Sequence, residues 1–464
     1  MSKYNNNKIV CLNLIGKIIL NGINFFVTPL FTRMLGTENY GLFSVYLTWQ
    51  SIFQIIIGLQ SQSIIGNASS KFVKDERAKL LSSNAFMVSL IFAFSLFIVL
   101  FLKNTLVRFL GLPILVIILM LFHAYTGYGV NIVTGTWAFD KEADKNFVAS
   151  ILLSIVNILF SFLLINRIKM YNLKYIGRIV GSALPTLVFG SICIVIVLIR
   201  GKTLYNKKYW KYTLTFSIPI VFHGLSNLIL SQSDRVMLQK MTSLNVVGIY
   251  SIVYTLTNVL VILWEAFNVS WVPFFYEDLS KKNINLIRIK SFNYLKVYNC
   301  LVIGFLLVSP EVYLFYASKE FASGVDVIPY LAIGAYFIFL YSFSVNYKYY
   351  KGKTISIAIG TVGSGFFNLL INFLLIPRYG IDGAAFATCI SYAILWLFHQ
   401  IGASRMDKED YPYTFSFFMP SIWLILLTAF LSFTLLRHSI AIRWGIACID
   451  GFILLRTVYK KGIW

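Results

Sequence analysis

Acidic side chains are scarce in this chain. Only 18 Asp and Glu occur in 464 residues, against 40 Lys and Arg, and charged residues of both signs make up 12% of the sequence, where a soluble domain carries about a quarter. With 58% hydrophobic and 17% aromatic residues, a water-soluble globule is excluded, because too little polar side chain is present to cover it. Histidine is limited to 4 positions, and the five cysteines, Cys11, Cys193, Cys300, Cys389 and Cys448, stand singly inside apolar runs with no Cys-x-x-Cys spacing. That pattern removes zinc sites and disulfide frameworks from consideration, and no cofactor or metal is expected. Long polar stretches are missing too: every connection between apolar runs is short, so no soluble catalytic domain fits and an enzyme is not expected. A formal charge of +22 would suit nucleic acid, but the Lys and Arg form no tail, Gly-Arg run or amphipathic basic module, so no nucleic acid partner is expected.

What is present is a series of apolar runs of about 18 to 25 residues, the length that crosses a hydrocarbon core, with a mean hydropathy of +0.75. Roughly fourteen spans follow, at 9–32, 40–62, 81–102, 112–138, 147–165, 175–199, 214–238, 246–270, 292–315, 327–346, 355–376, 381–401, 415–436 and 440–458. The first resembles a signal peptide in having Lys3 and Lys8 ahead of it, yet it is too long, contains Lys17 and has no small-x-small cleavage site, so it reads as a retained membrane helix. Placing the amino terminus in the cytoplasm puts most Lys and Arg on cytoplasmic segments, in loops near 71–79, 141–145, 200–211, 281–290, 348–353 and 405–408, as the positive-inside rule requires. Both termini are then cytoplasmic.

An internal repeat organises the spans. The segment Val156-Asn-Ile-Leu-Phe-Ser-Phe-Leu-Leu-Ile-Asn-Arg167 matches Phe367-Asn-Leu-Leu-Ile-Asn-Phe-Leu-Leu-Ile-Pro-Arg378 at seven of twelve positions, including Asn157 with Asn368 and Arg167 with Arg378. Earlier in each half, Phe31-Thr-Arg33 followed by Tyr40-Gly-Leu-Phe-Ser-Val-Tyr46 resembles Ser233-Asp-Arg235 followed by Val247-Gly-Ile-Tyr-Ser-Ile-Val253. The expected fold is an all-α integral membrane protein of about 14 transmembrane helices, with two pseudo-symmetric six-helix lobes around a central cavity plus a terminal helix pair. The lobes are 1–206 (helices 1–6) and 207–403 (helices 7–12), and 404–464 supplies helices 13 and 14. Six is even, so both lobes enter from the same side, and two parallel repeats that rock about a cavity give alternating access.

Polar side chains inside these spans mark the candidate site. Asn13, Lys17, Asn21, Asn24 and Thr28 recur every three or four residues on the first helix and share one face. Lys17 lies about 12 Å along the helix from Ile9, close to the midplane, where an ammonium group costs several kcal/mol unless water or an anion meets it. The functional reading is an anion site, and the plainer one is a lysine that snorkels or pairs with a structural carboxylate. The seventh helix carries His223, Asn227, Ser231, Asp234 and Arg235, the eighth Tyr250, Tyr254, Asn258, Glu265 and Asn268, and the second Gln50 and Gln54. Amides and aromatic rings of this kind suit sugars but also join membrane helices. His223, Asp234 and Glu265 are candidates for ion coupling, while Asp234 beside Arg235 reads most simply as an ion pair that fixes helix packing. Arg33 and Arg378 sit at the two external corners, 35–41 and 377–385, whose glycines make tight turns; they either hold phosphate or anchor at the interface.

Together these segments resemble a known family, the polysaccharide flippase branch of the multidrug, oligosaccharidyl-lipid and polysaccharide exporter superfamily. The resemblance rests on Thr28-Pro-Leu-Phe-Thr-Arg-Met-Leu-Gly-Thr-Glu-Asn-Tyr-Gly-Leu-Phe43, Gln232-Ser-Asp-Arg-Val-Met-Leu238 with Val247-Gly-Ile-Tyr-Ser251, Trp271-Val-Pro-Phe-Phe-Tyr276 and Pro377-Arg-Tyr-Gly-Ile-Asp-Gly-Ala-Ala385. It implies two six-helix lobes with two extra helices, and export of undecaprenyl-pyrophosphate-linked repeat units across a bacterial inner membrane for capsule, O-antigen or exopolysaccharide. It also implies cationic cavity residues for the pyrophosphate, an ion gradient or membrane potential as drive, and membrane lipid and other polysaccharide-assembly proteins as partners. The alternatives are a cell-wall lipid precursor flippase, a teichuronic acid exporter, and a cation or drug antiporter of the same superfamily. A lysine and amides on the first helix, where the drug-exporting branch usually has acids, favour an anionic cargo.

Overall fold

The computed structural model describes residues 3–140, 142–407 and 410–461, and side chains from residue 19 onward except those of 21, 143, 460 and 461. Among the described residues there are fourteen α-helices and no strand: α1 (Lys3–Gly58), α2 (Ile65–Lys71), α3 (Lys74–Phe101), α4 (Lys103–Leu110), α5 (Ile114–Phe139), α6 (Ala143–Arg167), α7 (Lys174–Gly201), α8 (Lys207–Met241), α9 (Leu244–Ser280), α10 (Ile284–Tyr316), α11 (Ile328–Tyr350), α12 (Thr354–Met406), α13 (Phe415–Phe433) and α14 (Ile440–Lys461). In a bilayer every backbone amide must be bonded within its own segment, which leaves a chain this apolar helix as its only open-ended way to cross. Eleven of these helices, all but α2, α4 and α14, are long and apolar enough to span a membrane.

Two of them are long enough to span it twice. At 1.5 Å per residue the 56 residues of α1 and the 53 of α12 would run about 80 Å if straight, far beyond the roughly 30 Å hydrocarbon core. Each is broken at one glycine, Gly36 at φ 68° and Gly380 at φ 55°, backbone conformations closed to residues with a Cβ. The corners expected at 35–41 and 377–385 are these two bends. Counting each bent helix as two passes gives thirteen crossings from these eleven helices, and α14 lies where the fourteenth span was read from the sequence.

The chain divides into two compact units, residues 1–228 and 229–464. This boundary falls inside α8, whereas the helix count places the division between 206 and 207 and sets 404–464 apart. In the first unit α7 packs on α3, α5 and α6, and α1 packs on α5, α6 and α7. The contact of α7 with α5 depends on Gly190, where a Cβ would lie 2.2 Å from the Thr126 carbonyl oxygen. The core here is aliphatic with a few rings, among them Tyr46, Met120, Leu121, Tyr128 and Ile179.

The second unit is held by aromatic rings. Tyr298 stacks on Phe339 at 4.0 Å between centroids, Tyr294 meets Phe339 edge-on at 5.1 Å, and Phe343 meets Tyr413 at 5.3 Å, geometries that add about 0.5–1.5 kcal/mol per pair to area burial. The terminal helices belong to this unit: α10 packs on both α13 and α14. Arg443 on α14 is buried, forms an ion pair with Glu311 and donates to the Leu307 carbonyl at 3.2 Å, which fixes α14 against α10.

Candidate functional site

A buried polar network lies in the second unit, around Asp234. α8 brings Asp234 to a fully buried position. Its carboxylate accepts hydrogen bonds from the Tyr250 hydroxyl of α9, from Thr388 Oγ1 at 2.7 Å and from Asn372 Nδ2 at 2.6 Å, both of α12. The amide of Asn372 also donates to Asn368 Oδ1 at 3.0 Å, which takes a second bond from Ser233 Oγ at 3.2 Å. The two arms of α12 on either side of Gly380 each supply part of this shell, so the glycine bend is what lets one helix approach the carboxylate twice. Hydrogen bonds to a charged group contribute about 1.5–3 kcal/mol each, and three of them offset much of the cost of burying a carboxylate.

Arg235, the next residue, faces elsewhere. Its guanidinium lies over the Tyr254 ring at 4.6 Å, with Nε donating to Ser251 Oγ at 3.3 Å and Nη1 to the Ser231 carbonyl at 3.5 Å. The Asp234–Arg235 ion pair expected from their adjacency is therefore replaced by neutral donors on one side and a ring on the other. The reason is geometric: neighbours in a helix diverge by about 100° around the axis and do not face each other.

Beside this network is a cavity of about 20 Å³ lined by Tyr254, Thr257, Asn258, Thr388 and Tyr392 together with Val261, Leu331, Ala335 and Ile338. That is room for one water. Thr388 is common to the cavity and to the Asp234 shell, so four of the candidate residues, Asp234, Arg235, Tyr254 and Asn258, come together here.

The remaining candidates are dispersed. Lys17 and Asn21 lie outside the described side chains. Asn24, Arg33 and Arg378 are exposed, the first on α1 and the other two at the glycine bends, and Glu265 is exposed on α9. In the first unit Gln50 Nε2 donates to Gln54 Oε1 at 3.1 Å, and the Asn227 amide lies 3.1 Å from His223 Nε2, each pair one helical turn apart.

Comparison with known proteins decides the family. Residues 8–277, more than half of the chain, match the family described as polysaccharide biosynthesis protein. The chain belongs to the polysaccharide biosynthesis protein family. The resemblance read from the corner and repeat motifs is thereby borne out. An uncharacterised membrane protein of Methanocaldococcus jannaschii is 24% identical over 421 residues, covering 84% of this chain and 82% of that protein. Among solved structures, the lipid II flippase MurJ in its inward closed conformation matches 98% of this chain and all of that one, with a TM-score of 0.73 and 17% identity. An inward-facing transporter of the multidrug resistance MATE family matches 86% of this chain and 96% of its own, with a TM-score of 0.64 and 14% identity. At these identities the structural matches establish the shared fold.

In this polysaccharide biosynthesis family member a charged residue with a repeat-related setting escaped the sequence reading. Arg178 on α7 is half-buried, with its guanidinium 4.0 Å from the Phe31 ring and 4.6 Å from the Phe43 ring, and Nη1 donating to Ser161 Oγ at 2.7 Å. The signal was present in the repeat: Phe31, Phe43 and Ser161 align with Ser233, Tyr250 and Asn372, all three of which belong to the Asp234 network.

Proposed function

We propose that this membrane protein is a flippase that carries a polyprenyl-pyrophosphate-linked oligosaccharide from the cytoplasmic to the external leaflet of a bacterial inner membrane, by alternating access, for capsule, O-antigen or exopolysaccharide synthesis. The observation that carries this reading is the family match over residues 8–277 in a chain whose fold follows that of a lipid II flippase along 98% of its length. A lipid-linked sugar needs a cation for its phosphates, amides and rings for its sugars, and a bilayer path for its tail. Lys17, Arg33, Arg235 and Arg378 are the proposed pyrophosphate contacts, and Asn21, Asn24, Gln50, Gln54, Asn227, Tyr254 and Asn258 the proposed sugar contacts. Asp234, with three neutral donors and a water-sized cavity beside it, is the proposed coupling group, ahead of His223 and Glu265. Protonating it would remove an acceptor from this shell and shift the balance between arrangements of α8, α9 and α12. The protein acts on its cargo as a transporter, without covalent chemistry.

The test is reconstitution in liposomes with a fluorescent undecaprenyl-pyrophosphate oligosaccharide, read by chemical quenching of one leaflet, with a simple organic cation as the competing cargo. Transfer of the glycolipid and not the cation is expected. Transfer of the cation alone would overturn the reading in favour of a drug antiporter.

A further inference from the structure

The first unit carries a two-part hollow on its outer surface that the transport reading does not use. Its apolar part is a groove of about 840 Å³ between α6 and α7, walled by Val148, Leu152 and Phe160 on one side and Leu184, Val188 and Ile192 on the other. All six are exposed at the protein surface. Pro185 lies inside α7 at the groove, where its ring removes one backbone hydrogen bond. From Lys145 to Phe160 the groove follows α6 for about 22 Å, longer than the roughly 15 Å depth of one hydrocarbon leaflet.

At one end the groove meets a polar chamber of about 470 Å³, and the two share Trp137 and Lys145 as a common wall. The chamber is formed where α3 and α6 begin and α5 and α7 end, at one end of four helices. Arg77 is its built floor: buried, bonded to both Asp140 carboxylate oxygens at 2.6 and 2.7 Å and to Ser69 Oγ at 2.7 Å. Lys145 pairs with Glu142 at 3.0 Å. Lys74 and Arg200 also line the chamber, as does Asp75, and Asp144 lines the adjoining end of the groove; none of these four forms a salt bridge among the described residues. An apolar slot one leaflet deep, a tryptophan at the boundary and two bases available to a phosphate, set among acidic neighbours, are complementary to a lipid whose head carries a phosphate.

The geometry points to a binding site for an anionic phospholipid, with one acyl chain along α6 and α7 and the headgroup phosphate against Lys74 and Arg200. On the orientation proposed above, that lipid belongs to the cytoplasmic leaflet. The site clamps three helices of the first unit through their lipid-facing side, so the bound lipid stiffens α5, α6 and α7 as a group.

The full-length protein, equilibrated in nanodiscs of equimolar phosphatidylglycerol and phosphatidylcholine with matched chains, is extracted into detergent and its retained lipid measured by mass spectrometry. Phosphatidylglycerol is expected to be enriched, by about fivefold for each basic group engaged. Lys74→Gln with Arg200→Gln should abolish the preference. Val188→Trp or Leu152→Trp, filling the groove at exposed positions, should remove retained lipid of both kinds, whereas Leu100→Trp, equally lipid-facing on α3, should not. Equal retention of the two lipids, or retention indifferent to these substitutions in protein that melts normally, overturns the proposal. So does displacement of phosphatidylglycerol by equimolar undecaprenyl phosphate, which would make the groove a docking site for the transported lipid.

Discussion

Arg178 and Asp234 are opposite charges held by repeat-related side chains. The guanidinium contacts Phe31, Phe43 and Ser161; the repeat aligns these with Ser233, Tyr250 and Asn372, of which Tyr250 and Asn372 donate to the carboxylate and Ser233 joins through Asn368. The same repeat positions are thus polar or aromatic in both halves, while the charges they support have opposite signs. Rings suit a cation and neutral donors suit an anion, so the side chains at these positions match the charge in their own half.

Replacing Asp234 by alanine removes the acceptor shared by the Tyr250, Thr388 and Asn372 donors, leaving Asn372 only Asn368 and the two hydroxyls only each other at 3.4 Å. Each unsatisfied donor costs about 1–3 kcal/mol, so Asp234→Ala should lower the melting temperature in detergent markedly. Asp234→Asn keeps an acceptor oxygen and should melt closer to the parent while transporting poorly. An Asn variant with full transport would remove Asp234 from the coupling role.

Lys17→Ala should reduce leaflet transfer of the lipid-linked oligosaccharide to background while membrane abundance stays unchanged, if the proposed site holds: the span read from the sequence puts this lysine near the midplane, where it has to be met by water or by an anion. Undiminished transfer in that variant would sink the anion-site assignment.

Gly36→Ala tests the bend of α1. At φ 68° and ψ −179° an added Cβ is strained by about 1–3 kcal/mol, although an equal substitution within a straight helix would favour it. Circular dichroism melting should therefore show a loss at Gly36 and a gain or no change at Gly22, where nothing lies within 4 Å of the added carbon.

Gly190→Ala should be more damaging than its size implies. The new methyl would lie 2.2 Å from the Thr126 carbonyl oxygen of α5, and backbone cannot rotate aside as a side chain can; separating the two helices costs about 1–3 kcal/mol. Protease resistance of the first unit is the readout, and unchanged resistance would contradict the packing.

Acid should weaken one tie at the membrane edge. Lys351 Nζ at 2.8 Å, and secondarily the Tyr347 hydroxyl at 2.8 Å, hold Asp407 below its ordinary value near 3.8. A depressed carboxylate contributes stability above its unfolded pKa and loses it as pH falls through the folded one. The difference in melting temperature between the parent and Asp407→Asn should thus be largest near pH 6 and shrink as pH falls below the ordinary carboxylate value. The pair is partly exposed, so the effect stays below about 1 kcal/mol. A difference that does not change with pH would show that the ion pair contributes nothing.

The sequence by itself determined the class of protein, the number of crossings, the repeat and the corners at Gly36 and Gly380. These follow from local chemistry: a run of about 20 apolar residues has one stable state in a bilayer, and a left-handed backbone position selects glycine. It also singled out Asp234, Arg235 and Tyr250, missed Thr388 and Asn372, and mispaired the first two. Asp234 and Arg235 are adjacent in the chain, and adjacency suggested an ion pair, yet the partners of the carboxylate lie 16, 138 and 154 positions away. Only the folded chain decides which faces of α8, α9 and α12 meet, because helix periodicity fixes the side a residue occupies but not the helix it is turned toward. The groove along α6 and α7 was hidden for the same reason: its walls read as ordinary membrane-facing residues until packing left a space between them.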